Sequence, residues 1–242
     1  MKRVHMEGHR GLAAHFPANT LISFENAMDR SLDAIEFDIW LSKDRVPVLM
    51  HESNAWRTAG VDRDLRDMTY SEIRRLDPCY FRKFGDQFRG KTSVPSLEEL
   101  LELRKAKKSC IKLGVEIKEY TEETVDSAVS LLNRYGLNLT EDCWFYSFNG
   151  RILRYLKEKH GVRTMGYPDF YMQEFDGYDA YDEIGLSMKI LRSEICDYYR
   201  QKGFPIHAYC ADTEEDVRLC LEKGAALITA NDPDPMLRIL KR

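Results

Sequence analysis

The chain has 242 residues, 43% of them apolar and 31% charged, with a formal net charge of −4. This length permits one large domain or two small ones, and such a fold buries roughly 70–75% of the surface its unfolded chain exposes. The charge balance leaves no broad basic face for nucleic acid, and no apolar run approaches the roughly 18–20 residues of a membrane span.

The N-terminal residues, Met1-Lys2-Arg3-Val4-His5, meet charge at once and lack the apolar stretch of a signal peptide, so the chain reads as soluble and cytoplasmic. Its six cysteines (Cys79, Cys110, Cys143, Cys196, Cys210, Cys220) are scattered without a C-x-x-C pair and read as free thiols in that compartment.

Arg3 to Gly8 is predicted as a first short strand ending in Gly8-His9-Arg10-Gly11. Glycines on either side of the His-Arg pair let the backbone turn sharply and approach a ligand. Asn19-Thr20 opens a helix with Leu21, Phe24, Ala27 and Met28 on one face. The next strand carries Glu36 and Asp38 two residues apart, which puts both carboxylates on one side, about 7 Å apart. Ile35, Phe37 and Ile39 take the other side. Ser42-Lys43-Asp44-Arg45 reads as a turn, so Val46 to Met50 runs back antiparallel and returns His51 to the two acids.

From Ser53 to Lys108 the pattern is less regular. A short helix opens at Thr69-Tyr70-Ser71-Glu72. Ser96 with Glu99 forms a capping box for a helix that turns Leu97, Leu100, Leu101 and Ala106 inward. Segment 52–110 is read as an insertion over the site, its apolar content too thin for a core of its own.

Strands and helices then alternate. Lys112–Lys118 is a strand, and Thr121 caps a helix through Tyr135. Cys143–Phe148 and Arg163–Tyr167 are strands flanking a helix over Gly150–Lys159. A loop from Tyr167 to Glu183 carries six aromatics among six acids. Strand Ile184–Ser187, a helix ending at Gly203 and strand Pro205–Cys210 follow. A helix capped by Asp212 or Thr213 runs to Gly224, then strand Ala226–Thr229, and Pro233 opens a last helix. Eight main strands separated by helices favour right-handed βαβ units closing into a barrel over an open, doubly wound sheet. Barrel chemistry gathers at C-terminal strand ends, where His9, Asp38, Lys118, Phe148, Tyr167 and Tyr209 fall.

Glu36, Asp38 and Glu116 form a first constellation. Converging acids repel unless a hard cation such as Mg²⁺ or Ca²⁺ takes their oxygens, and no His/Cys cluster of zinc spacing competes. His9 and His51 form a second, suited to general acid–base work on a phosphodiester, with Arg10 and Lys118 as cations for its non-bridging oxygens. Taken singly, each of these is ordinarily a paired acid, a core histidine or a surface cation. Their convergence argues for a site.

These residues also sit in motifs: H-R-G at His9–Gly11, P-A-N-T at Pro17–Thr20, I-E-F-D at Ile35–Asp38 and S-K-D-R-V-P-V-L-M-H-E at Ser42–Glu52. R-T-A-G at Arg57–Gly60, V-P-S-L-E-E at Val94–Glu99, E-I-K at Glu116–Lys118, S-F at Ser147–Phe148 and H-A-Y-C-A-D at His207–Asp212 follow in order. Together the set resembles the glycerophosphodiester phosphodiesterases across nearly the whole chain. The resemblance implies a single (β/α)8 TIM barrel with a small insertion after the second strand. It implies a divalent metal on Glu36, Asp38 and Glu116, an acid–base pair in His9 and His51, and Arg10 and Lys118 on the phosphate. The implied reaction is hydrolysis of a glycerophosphodiester to sn-glycerol 3-phosphate and an alcohol.

Departures from the family pattern fall at Ala18, Arg45, Glu52 and Tyr209, where the family usually has Glu, Gly, Asp and Trp. Tyr209 keeps an aromatic wall but reshapes the alcohol pocket. The rivals are phospholipase D-like action on lysophospholipids or sphingolipids, and a non-catalytic phosphodiester-binding barrel. The aromatic loop is read as a lid or a contact in a homo-oligomer, with a cage for a quaternary ammonium as the alternative.

Overall fold

In the computed structural model, which describes residues 3–241, the strands are β1 (His5–Gly8), β2 (Ala34–Leu41), β3 (Pro47–Leu49), β4 (Lys112–Ile117), β5 (Cys143–Tyr146), β6 (Thr164–Gly166), β7 (Glu183–Ser187), β8 (Ile206–Tyr209) and β9 (Leu227–Ala230). All but β3 pair in parallel, in the order β1-β9-β8-β7-β6-β5-β4-β2, and β1 pairs with β2 to close an eight-stranded barrel. Strand β3 is the antiparallel return of the hairpin, with Ile39 opposite Leu49 and Leu41 opposite Pro47.

The helices are α1 (Leu21–Met28), α2 (Trp56–Ala59), α3 (Tyr70–Ile73), α4 (Phe81–Phe84), α5 (Leu97–Ala106), α6 (Glu122–Arg134), α7 (Gly150–His160), α8 (Met188–Leu191), α9 (Ile195–Gln201), α10 (Glu214–Glu222) and α11 (Asp234–Leu240). Side-chain caps start most of the long ones: Thr20, Ser96, Thr121, Asn149 and Thr213 each accept a bond from a backbone N–H of the first turn. None of these helices is long and apolar enough to cross a membrane, among the described residues.

The period of two in the strands separates two environments. Outward residues such as Ile35, Phe37, Ile39, Val115, Ile117 and Phe145 are fully buried between barrel and helices. Inward residues are mixed: an apolar layer of Ala34, Trp144, Tyr146, Met165 and Leu227 lies beside the buried acids Glu7, Glu36, Asp38, Glu116 and Glu183. Gly114 makes room for this layer, since a Cβ there would collide with Glu7 Oε1 and with the ring of Tyr146.

Two expectations change. The segment over 52–110 divides in two: Leu97, Leu100 and Leu101 of α5 belong to the barrel's own core, while Val48, Met50, Ala55, Leu65, Met68, Ile73, Leu76 and Val94 form a separate apolar cluster. The apolar content expected to be too thin for a core thus suffices for a small one, because the β-hairpin contributes Val48 and Met50 to it. The helix expected to run to Gly203 is broken into α8 and α9, where the Ser193 hydroxyl donates back to the Ile190 carbonyl at 2.8 Å and competes with the helical ladder.

Packing also bears on the aromatic loop, read as a lid or contact with a cage as the alternative. Tyr181 is buried at 4% exposure, and its ring and that of Tyr178 pack edge-on to each other and against Phe204 and Phe175. The loop's acids are also engaged, Asp176 and Asp179 with Arg154 and Asp182 with Lys157. The Tyr178 and Tyr181 rings are thus engaged with one another, and the Lys202 ammonium already stands 5.0 Å from the centre of the Tyr178 ring. The six cysteines are unpaired, as their spacing suggested.

Candidate active site

The backbone after β1 turns through Arg10 at φ +52 and Gly11 at φ +84, with Ser23 of α1 packed so closely that a side chain at position 11 has no space. That turn aims the Arg10 N–H at Glu36 Oε2, which accepts it at 2.8 Å. On β2, Asp38 Oδ2 accepts from Asn19 Nδ2 at 2.8 Å and lies 3.2 Å from Arg10 Nε. Parallel pairing of β2 with β4 sets Asp38 directly beside Glu116. One oxygen each from Glu36, Asp38 and Glu116 can come within 4.8 Å of the others.

The hairpin closes the other side. Its return bond, Met50 N–H to the Asp38 carbonyl at 3.2 Å, places His51 at the mouth. There His51 Nε2 is 3.3 Å from Lys118 Nζ, and its Nδ1 is 3.2 Å from Glu52 Oε1. Lys118 also donates to Glu116 at 2.9 Å. His9, Arg10, Glu36, His51, Glu116, Lys118 and Tyr209 all line one cavity of 210 Å³, with Asp38 buried behind Arg10. Phe148, stacked on Tyr167 at 3.6 Å between ring centres, forms an aromatic wall with Tyr209.

Burial and charge set the protonation of these groups. Burial, and then the neighbouring Asp38, push Glu36 well above the usual carboxylate range. For Asp38 burial acts in the same direction, but Arg10, His51, Lys118 and the Asn19 bond outweigh it and hold Asp38 below its ordinary value. Burial disfavours the Lys118 ammonium, yet Glu116 and Asp38 overcome that and raise its pKa. His9 is pushed down to about 4, first by burial and then by Arg10.

Sequence reasoning missed the groups that orient His9. Asp212 carries only acceptors, so Asn231 must turn its Nδ2 toward Asp212 Oδ2, 2.8 Å away. The Asn231 Oδ1 then faces His9 Nδ1 at 2.7 Å and accepts from it. His9 is thereby held as the Nδ1–H tautomer, with the Nε2 lone pair directed at the acid cluster, 3.9 Å from Glu36 Oε2. Asn19 was also missed as a site residue: Thr20 is the helix cap, while the Asn19 side chain donates through Nδ2 to Asp38 Oδ2 and accepts the Asp38 backbone N–H on its Oδ1. Beneath the cavity, Glu7 accepts from Tyr146 and Thr229 hydroxyls at 3.0 and 2.8 Å.

The acid cluster fits a hard divalent cation. Glu36 Oε1 and Asp38 Oδ1 are buried without a hydrogen-bond partner, which is costly for a carboxylate unless something else takes the lone pairs. An all-oxygen donor set with room beside it matches Mg²⁺ or Ca²⁺.

A closed (β/α)8 barrel with carboxylates, two imidazoles and two fixed cations at the C-terminal strand ends defines a barrel hydrolase of the phosphate-ester type. The Glycerophosphoryl diester phosphodiesterase family matches residues 9–235, and the chain belongs to that family. It is 27% identical over 243 residues to a glycerophosphodiester phosphodiesterase of Caldanaerobacter subterraneus subsp. tengcongensis, covering 97% of this chain and 96% of the relative. Among solved structures it is similar to a glycerophosphodiester phosphodiesterase from Agrobacterium tumefaciens (TM-score 0.79, 24% identity, 98% of this chain and 100% of that one). A phosphodiesterase from Oleispira antarctica, solved with the product sn-glycerol-3-phosphate, matches at TM-score 0.83 and 20% identity over 98% of this chain and 97% of its own.

Proposed function

We propose that this protein hydrolyses glycerophosphodiesters to sn-glycerol 3-phosphate and an alcohol, with a divalent cation held by Glu36, Asp38 and Glu116. The observation that carries the reading is the meeting of three carboxylates, His9, His51, Arg10 and Lys118 around one 210 Å³ cavity. When bound, the cation would supply Lewis-acid polarisation of the phosphate and lower the pKa of the attacking oxygen.

The protein's own side chains do the rest. Arg10 and Lys118 hold the non-bridging oxygens, Arg10 through a planar fork and Lys118 as a point charge. The nucleophile is water, or the neighbouring glycerol hydroxyl, whose attack gives a cyclic phosphate that water opens to sn-glycerol 3-phosphate in a second step. His9 Nε2, unprotonated in the tautomer fixed by Asn231, accepts its proton as the new P–O bond forms. His51 then protonates the departing alkoxide as the ester P–O bond breaks. Phe148, Tyr167 and Tyr209 close the aromatic side of the cavity and keep bulk water from it.

A panel of glycerophosphodiesters, assayed with and without Mg²⁺ or Ca²⁺, tests this directly. His9→Ala and His51→Ala should each lower kcat by at least about 100-fold with an unchanged circular-dichroism spectrum. Near wild-type kcat in either variant removes that residue's role, and turnover undiminished by EDTA removes the cation.

A further inference from the structure

A second cavity, of 460 Å³, opens beside the first and shares Arg10 with it. Its other walls come from the β1–α1 loop, from Asn231 and from the segment around α4, which supplies Tyr80, Arg82 and Lys83; Arg57 closes the rim. Four cationic side chains line it and no carboxylate does, among the described residues.

Their charges are only partly met. Arg57 pairs with Glu52 at 2.8 Å, Arg10 with Asp38, and Lys83 donates to the Ala13 carbonyl, a neutral partner. Arg82 is exposed on α4 and has no acidic partner among the described residues. The Lys83 pKa lies below its usual value because burial is opposed only by Asp212. The Tyr80 hydroxyl, a wall of the same cavity, is buried with no hydrogen-bond partner, so it is a free donor.

A phosphodiester carries two substituents, and Arg10 stands where the cavities meet. With the phosphate on Arg10 and Lys118, we assign glycerol to the smaller, aromatic-walled cavity, so that Tyr209 borders the glycerol and not the alcohol pocket its position suggested. The second substituent is then directed into the larger cationic one. We infer that the alcohol released by this enzyme carries an anionic group of its own, a phosphate or carboxylate bound by Arg82, Lys83, Arg57 and Tyr80. This rests on the proposed hydrolysis and adds which diesters are preferred. A quaternary-ammonium alcohol meets like charge there.

Three substrates test the inference: glycerophosphoglycerol, the same diester with a phosphate on the far hydroxyl of the leaving glycerol, and glycerophosphocholine. In the wild type with Mg²⁺ or Ca²⁺, kcat/KM for the phosphorylated diester should exceed that for glycerophosphoglycerol by roughly tenfold, mostly through KM. Glycerophosphocholine should be the slowest of the three. Arg82→Glu should bring the ratio of the first two to about one, and 0.5 M NaCl should compress it in the unmutated protein. A wild-type ratio near one, or a ratio untouched by both Arg82→Glu and salt, overturns the inference while leaving glycerophosphodiester hydrolysis intact. Turnover of none of the three overturns the parent reading as well.

Discussion

The Asp212–Asn231–His9 relay can be probed by one atom. In Asp212→Asn, an NH₂ group replaces the oxygen that accepts from Asn231 Nδ2 at 2.8 Å. The other oxygen of the new amide still accepts the backbone N–H groups of Asn231 and Asp232, at 2.7 and 3.1 Å, and so fixes the amide's orientation. Two NH₂ groups then oppose each other unless Asn231 flips. Flipping presents its NH₂ to His9 Nδ1, which must become an acceptor and move the ring proton to Nε2. Either outcome costs about 1–3 kcal/mol, the usual penalty for a mispaired buried polar group. At 1.36 kcal/mol per factor of ten, kcat/KM should fall roughly tenfold to a hundredfold. Asp212→Ala is the informative control, because it leaves Asn231 free to keep Oδ1 on His9, and its loss should be smaller than that of Asp212→Asn. Steady-state kinetics on a glycerophosphodiester read both. Equal losses, or wild-type kcat/KM in Asp212→Asn, would refute the tautomer argument.

Two further outcomes concern stability. Arg45 occupies φ +65 in the hairpin turn, a conformation that costs a side-chain-bearing residue about 1–2 kcal/mol, and its ion pair with Glu123 is solvent-exposed. Glycine removes the strain but loses more entropy on folding, so Arg45→Gly should stabilise by about 0.5 kcal/mol in urea unfolding; destabilisation would refute the strain argument. The pKa of His9 is about 4 in the fold against an ordinary 6.5, so the unfolded chain binds the proton more readily. Its contribution in metal-free protein is therefore fully present above pH 6.5 and is lost as pH falls toward 4, about 3 kcal/mol in all. Urea melts in EDTA should show a shallower acid loss for His9→Gln than for the wild type, and parallel curves would contradict the depressed pKa.

The barrel and the outline of its site were legible because both depend on short-range pattern. Alternation puts Glu36 and Asp38 on one face, and a four-residue turn brings His51 back to them. The orienting contacts were not, because they require the ring to close. Asn231 lies 222 residues from His9 and reaches it only because β9 pairs with β1. The sequence offers Asp212 or Thr213 as a helix cap; Thr213 fills it, which leaves the Asp212 carboxylate for Asn231. At the aromatic loop composition left two readings open. Rings such as Tyr178 and Tyr181 look alike in sequence whether they surround a ligand or one another, and only packing separates the two.

Charge balance ties the constellation to its substrate. Glu36, Asp38 and Glu116 bring three carboxylates, against which Arg10 and Lys118 set two fixed cations within ion-pair distance. Fully ionised, the set carries one uncompensated negative charge in a buried place, and burial, followed by the charge of Asp38, raises the Glu36 pKa toward the neutral form that removes it. A divalent cation would turn that into one positive charge, which a phosphodiester monoanion neutralises. Hydrolysis converts the bound monoanion into a phosphate monoester that carries up to two negative charges, and the site returns to an excess of one. With the proposed cation bound, the charge state that favours substrate entry would thus be undone by the reaction, and the carboxylates that hold the cation would assist product release. Adding a fourth cation to the first cavity would cancel this asymmetry, whereas cations in the neighbouring cavity at Arg10 act on the leaving alcohol and preserve it.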